Sequence, residues 1–186
     1  MPESRISFSA VVLAGGTGLR MGGTDKAALQ LHGRSLLELA LDALGEADEV
    51  VVTGPPAPTQ RPVTFVLEDP PSGGPVAGLL AGRDALARTP GLLAVLAVDM
   101  PRVDRGTIRR LLAAATGHDG AFLVDGGGRR QLCGVLRPER LDAVRPEQPH
   151  DAAVHRLLAG LDLVDVPGRE QESVDIDSWK NLQDLS

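Results

Sequence analysis

The stretch LLAVLAV, residues 92–98, decides how this chain is to be read. It carries no polar side chain, so it lacks the alternation of a strand with one wet face. An unbroken apolar run of this length suits a central parallel strand whose two faces are both covered by helices. It stops abruptly at Asp99-Met100-Pro101, where a carboxylate and a proline replace Val and Leu.

The same pattern recurs upstream. Residues 8–13 form a second short apolar run, ended by Ala14-Gly15-Gly16, and read as a buried strand. Residues 49–53 (EVVVT) are β-branched and stop at Gly54-Pro55-Pro56, and residues 63–67 form the next expected strand. Between these, residues 27–31 read as a short strand with a turn at His32-Gly33. Ser35-Leu36-Leu37-Glu38 reads as a capping box that opens a helix to about Ala43. Helices are expected over residues 76–87 and 105–115, on either side of LLAVLAV. Downstream, residues 120–124 and 131–136 read as a strand pair around Asp125-Gly126-Gly127-Gly128. A helix over 151–159, a strand over 162–166 and a last helix over 178–185 follow. Strands and helices alternating across short connections predict an α/β fold, a Rossmann-like three-layer sandwich with a mostly parallel central sheet. No repeat or long linker divides the sequence, so one domain over residues 1–186 is expected.

Composition narrows the function classes. Hydrophobic residues make up 42% and charged residues 24% of the chain, as in ordinary globular proteins. Aromatic residues are 2%, which argues against a protein that stacks exposed bases on aromatic platforms. The formal charge of -6 gives no general pull toward nucleic acid or acidic membranes, so neither is an expected partner. A polyphosphate ligand therefore needs a local cluster of cations and backbone N–H groups. Cys133 is the only cysteine, which rules out an internal disulfide and suits a reducing compartment. No apolar signal core or membrane-length run is present, and a cytoplasmic location is expected.

In open α/β sheets, ligands bind beyond the carboxyl ends of the strands. Four polar or glycine-rich segments fall at such ends: residues 15–26, Thr53-Gly54, residues 69–75 and Asp99. The first lies in LAGGTGLRMGGTDK, residues 13–26, with five glycines in nine residues. Such a loop brings backbone N–H groups close to an anion, and Arg20 and Lys26 add positive charge. It is not a Walker A loop, because Asp25 and Ala27 flank Lys26; nor a dinucleotide fingerprint, because Met21 stands where Gly or Ala is needed. The plainer alternative is a surface loop. Asp99 either anchors Mg²⁺ in the ligand crevice or caps the turn before Pro101. Asp69 has the same ambiguity. Ser72-Gly73-Gly74-Pro75 leads into a helix whose N-terminus can receive a polar ligand edge. His150 and His155 match no metal pattern, Cys133 reads as a buried small side chain, and Trp179 as an anchor for the last helix. Arg129-Arg130 either meet an anionic acceptor or form a solvated turn.

These residues resemble a known family. L-A-G-G-x-x-x-R-M-G-G-x-D-K, G-G-P-V-A-G at residues 73–78, D-M-P at residues 99–101 and the final D-x-D-S-W-x-x-L are similar to the molybdenum cofactor guanylyltransferases (MobA type) of the nucleotidyltransferase superfamily. The resemblance implies a fold of the nucleotide-diphospho-sugar transferase type. It also implies that Leu13, Ala14, Gly15 and Gly16 border a guanine nucleotide. Thr53, Asp69 and Gly74 would join them in binding it, Lys26 would contact phosphate and Asp99 would hold Mg²⁺, with Asp177 as a second carboxylate. Arg20, Lys26 and Asp99 would be the catalytic set. Three positions depart from the family pattern: Thr53 replaces Asn, Gln131-Leu132 replaces Gln-Pro, and Asp175-Ile176-Asp177 replaces an Asn-rich ending.

The implied reaction is attack by the terminal phosphate of molybdenum-bound molybdopterin on the α-phosphorus of GTP, releasing pyrophosphate. GTP and molybdopterin would be substrates, Mg²⁺ the cofactor, and molybdoenzymes or other biosynthetic proteins the partners. The rivals are a cytidylyl- or sugar-phosphate nucleotidyltransferase and, from another class, a non-catalytic nucleotide or cofactor carrier. Lys26 and Asp99 together count against the carrier.

Overall fold

A computed structural model describes residues 6–15, 25–177 and 183. The expectations placed on Gly16, Arg20 and Trp179, and nearly all of the last helix, lie outside the described residues.

LLAVLAV is the middle of the sheet, as its composition requires. Strand β6 (Leu93–Ala97) is buried along its whole length and pairs in parallel with β1 (Ser9–Leu13). Beyond β1 come β4 (Val50–Thr53) and β5 (Thr64–Val66), both parallel. On the other side of β6 lie β8 (Arg130–Leu136), β7 (Gly120–Val124) and β9 (Leu163–Pro167). The order is β5-β4-β1-β6-β8-β7-β9, and β8 alone runs against its neighbours because a tight Gly turn joins it to β7. The sheet is therefore mostly parallel.

Alternate residues of each strand feed two apolar layers. Ala10, Val12, Ala94 and Leu96 face α1 (Leu36–Ala43) and α3 (Arg105–Ala114). Val11, Val51, Leu93 and Val95 face α2 (Gly74–Ala85), α4 (Pro138–Ala143) and α5 (Val154–Leu158). Each fully buried Val or Leu removes its side chain from water for about 1.5–3 kcal/mol. Helix α2 comes unusually close to the sheet: a Cβ on Gly82 would sit 2.5 Å from a Val11 methyl. Only a residue without a side chain allows that approach.

Local signals behave as physical chemistry predicts, with four corrections. Ser35 caps α1 by accepting from the Glu38 N–H, but Glu38 does not reach back; its carboxylate accepts from Gln60 N–H instead. The stretch expected as a strand over 27–31 begins as a 3-10 turn (Lys26–Ala28), because Asp25 accepts from Ala27 N–H and caps it. Only β2 (Gln30–Leu31) remains extended, pairing with β3 (Arg34–Ser35) across His32 and Gly33, both at positive φ. Helix α4 was not expected, and α5 starts at Val154, three residues later than its sequence suggests. Among the described residues, no helix is long and apolar enough to cross a membrane.

Candidate functional site

The carboxyl ends of β1, β4 and β6, the amino end of β8 and the loop after β5 surround one pocket of about 200 Å³. Leu13 and Gly15 enter it from β1, Thr53 from β4, Ala97 and Asp99 from β6 and Leu132 from β8. Gly74, Pro75 and Gly78 close it from the first turns of α2. Two side chains are missing where the walls are tightest. A Cβ on Gly78 would press on Thr53 Oγ1 at 3.2 Å and on Leu13 at 3.5 Å, and one on Gly15 would stand 3.5 Å from the Thr53 carbonyl. Thr53 is itself buried, and its hydroxyl donates to the Val12 carbonyl at 3.3 Å. Ala14 is buried behind this edge, its N–H donating to the Thr53 carbonyl.

Lys26 stands at the rim beside Asp99. Its ammonium donates to Asp99 Oδ2 at 2.8 Å and to Asp177 Oδ1 at 2.9 Å. The turn capped by Asp25 fixes where Lys26 leaves the backbone. The end of β6 fixes Asp99, with Met100 N–H returning to the Ala97 carbonyl. Burial lowers the Lys26 pKa, but the hydrogen bonds and charges of Asp99 and Asp177 outweigh it and raise it overall, so the amine stays charged. Asp175 is half-buried nearby; burial first, then the charges of Asp177 and Asp99, push its carboxyl up. Gly15, at the start of the glycine loop, and Asp99, which ends LLAVLAV, thus line one pocket, and Lys26 pairs with that acid.

Asp177 arrives on a strap, residues 168–177, that is latched to α3. Glu172 accepts two hydrogen bonds from Arg110, at 2.9 and 2.6 Å, and one from the Thr107 hydroxyl at 2.8 Å. The Ile176 N–H then donates to the Asp99 carbonyl at 2.8 Å, with the Ile176 side chain fully buried. Burial pushes the Glu172 carboxyl up, but hydrogen bonds from Arg110, Arg169 N–H and Thr107 prevail and hold it at about 2. A lowered carboxyl pKa contributes stability that is fully present above its ordinary value of 4.5 and is lost as pH falls toward 2. After discounting for solvent screening this is on the order of 1–2 kcal/mol. Glu172→Gln should therefore lower the melting temperature at pH 7 by roughly 2–8 °C and flatten its fall between pH 4.5 and 2. Parallel acid limbs for the two proteins in a pH series of thermal melts would contradict this.

The remaining candidates separate. Asp69 is exposed and does not line the pocket; Glu68 does. The chain leaving β5 is exposed at Leu67, buried at Glu68 and exposed at Asp69, because successive residues of extended backbone face opposite ways. Val66 packs on the α2 side, so the two-residue period from Val66 to Glu68 is the sequence signal that points to this carboxylate. Cys133 is fully buried, and burial pushes its thiol up to about 12, which removes it as a nucleophile. His150 and His155 are exposed. Arg130 pairs with Asp165 at 2.6 Å, while Arg129 lines a second groove of about 490 Å³. That groove meets the first pocket at Leu132 and includes Gln131 and His155.

Among the described residues, no three His, Cys, Asp or Glu side chains gather as a metal cage. The donor set nevertheless suits Mg²⁺, which takes one or two carboxylates and fills its other positions with water and substrate phosphate. Asp99 and Asp177 offer hard oxygens that already converge on one positive charge.

A model of the MobA-like NTP transferase domain matches residues 10–166. A protein from Mesorhizobium japonicum named molybdenum cofactor guanylyltransferase is 37% identical over 150 residues, covering 76% of this chain and 72% of the relative. Among solved structures, molybdopterin-guanine dinucleotide biosynthesis protein A from Archaeoglobus fulgidus superposes with a TM-score of 0.72 at 20% identity, covering 95% of this chain and 96% of that one. The 2-C-methyl-D-erythritol 4-phosphate cytidylyltransferase of Thermus thermophilus superposes with a TM-score of 0.74 at 23% identity, covering 96% and 97%. At these identities the two structures speak for the fold, which is shared by enzymes of different base preference.

Proposed function

Because the chain belongs to the MobA-like NTP transferase family, we propose that it transfers GMP from GTP to the phosphate of molybdenum-bound molybdopterin, releasing pyrophosphate. The observation that carries this reading is the contact of Lys26 with Asp177 and with Asp99, which lines the pocket together with Gly15 and Gly74.

An oxygen of the acceptor phosphate forms a bond to the α-phosphorus of GTP, and the bond from that phosphorus to the α–β bridging oxygen breaks. The nucleophile is already anionic, so no strong general base is required. The protein has to bring two anions together and stabilise charge in the transition state. Lys26 supplies a fixed positive charge for the departing pyrophosphate, joined in this proposal by Arg20 and by the backbone N–H groups of the glycine loop. Leu13, Gly15, Thr53 and Gly74 border the nucleoside, with Ala14 behind them and Gly16 continuing the loop. Asp99 and Asp177 hold a divalent cation, for which we propose Mg²⁺. When bound, it offsets phosphate charge and polarises the α-phosphorus.

The acceptor approaches through the groove beside Leu132, where Arg129 offers a cation to its phosphate. Arg129→Ala should raise the acceptor KM roughly tenfold with a smaller change in kcat and no change in the KM for GTP. An unaltered acceptor KM would move the acceptor elsewhere. The reaction itself is tested by incubating the protein with each NTP and either molybdopterin or a sugar phosphate while recording pyrophosphate. GTP consumed only with the pterin supports the assignment. CTP consumed with GTP ignored would reject it, and GTP binding without product would make the protein a carrier.

A further inference from the structure

Glu68 has no role in the chemistry described above, yet it is the best-buried carboxylate in the pocket wall. It is 8% exposed, and no hydrogen bond or ion pair joins it to another described residue. Its two oxygens lie 3.7 Å from the point where a Cβ on Gly15 would stand, so they border the opening that Gly15 leaves free. Its oxygens are not among the buried unpartnered atoms, so they keep access to the pocket, where a ligand that donates two hydrogen bonds can take the place of water.

The pocket restricts what that ligand can be. A triphosphate would be repelled by an unpaired carboxylate, and the phosphate-binding cation, Lys26, sits at the Asp99 rim. Glu68 enters from the β5 side of β1 and Asp99 from the β6 side. The walls between are Leu13, Pro75 and Ala97, with Gly78 lacking a side chain, a flat apolar setting for a planar ring. An ionised carboxylate only accepts hydrogen bonds. Guanine places two donors side by side, N1–H and the N2 amine, and can satisfy both oxygens at once. Cytosine presents one donor group next to acceptors and leaves one carboxylate oxygen facing a lone pair.

We infer that Glu68 reads the Watson–Crick edge of guanine and so determines the choice of GTP over other nucleoside triphosphates. This rests on the nucleotidyltransferase reading of the pocket and goes beyond it by naming the residue that selects the base.

Binding of GTP, ITP and XTP, each with Mg²⁺, to the intact wild-type protein and to Glu68→Gln tests this by calorimetry. ITP lacks the N2 amine, so wild type should bind it roughly ten- to a hundredfold more weakly than GTP. In Glu68→Gln that ratio should fall to within about twofold, since the carboxamide accepts at only one position. The variant should also gain affinity for XTP, whose N1–H and O2 match a carboxamide. This gain distinguishes lost recognition from a damaged fold. If Glu68→Gln weakens GTP and ITP equally, the carboxylate serves the ribose or the fold, and the inference is overturned while guanylyl transfer stands. If wild type itself binds GTP, ITP and CTP alike, base reading at this pocket fails and the guanylyl assignment fails with it.

Discussion

Replacing Asp99 by Asn is expected to cut metal-dependent pyrophosphate release by about 10³-fold while leaving the fold in place, the scale of losing one pre-arranged electrostatic partner of the transition state. The side chain lies just past the end of β6, 19% exposed, and among the described residues it pairs with Lys26. Asn preserves shape and one acceptor oxygen but removes the charge that, in the proposed reaction, draws a divalent cation to the rim. The contacts that hold this turn together use backbone atoms, Met100 N–H to the Ala97 carbonyl and Ile176 N–H to the Asp99 carbonyl. They survive the substitution, so melting should change by only a few degrees. Turnover titrated with Mg²⁺ and Mn²⁺, beside a thermal melt, gives both readouts. Activity like that of wild type would remove Asp99 from the metal role.

Lys26→Ala should have the second largest effect, lowering turnover by roughly 10²–10³-fold. Two carboxylates, Asp99 and Asp177, lose their shared counter-ion, with Asp175 close by. Their mutual repulsion should cost about 1–2 kcal/mol of stability, less than the rate loss expressed in the same units. The balance also predicts a sign: added Mg²⁺ should raise the melting temperature of the variant more than that of wild type, because a divalent cation can replace the missing ammonium. A large drop in melting temperature with unchanged kinetics would instead make Lys26 a structural residue.

Much of the fold was legible because single-strand composition reports environment. LLAVLAV has no polar face, and β6 has none exposed. The glycine-loop lysine and the acid after β6 could be placed together because strands of a parallel sheet end on the same side. Other features lacked such a signal. Helix α4 spans only six residues, too short for a periodic pattern, and only Pro138 at its first turn marks its start. The reciprocal arm of the Ser35 capping box depends on whether Glu38 finds a better donor, and Gln60, 22 positions away, supplies it. The carboxylate that lines the pocket next to Asp69 lacked a signal for a different reason. Asp69 fits the motif, but strand parity carries Glu68 inward, and a motif match does not encode which way a side chain turns.

Lys26 and Asp177 are separated by 151 positions, yet they complete one rim. Closing so long a loop is entropically slow relative to pairing neighbours, and among the described residues the pocket lining reaches no further than Leu132. Residues up to the end of β8 include every described lining residue of the pocket, and only the strap adds Asp177 to Lys26.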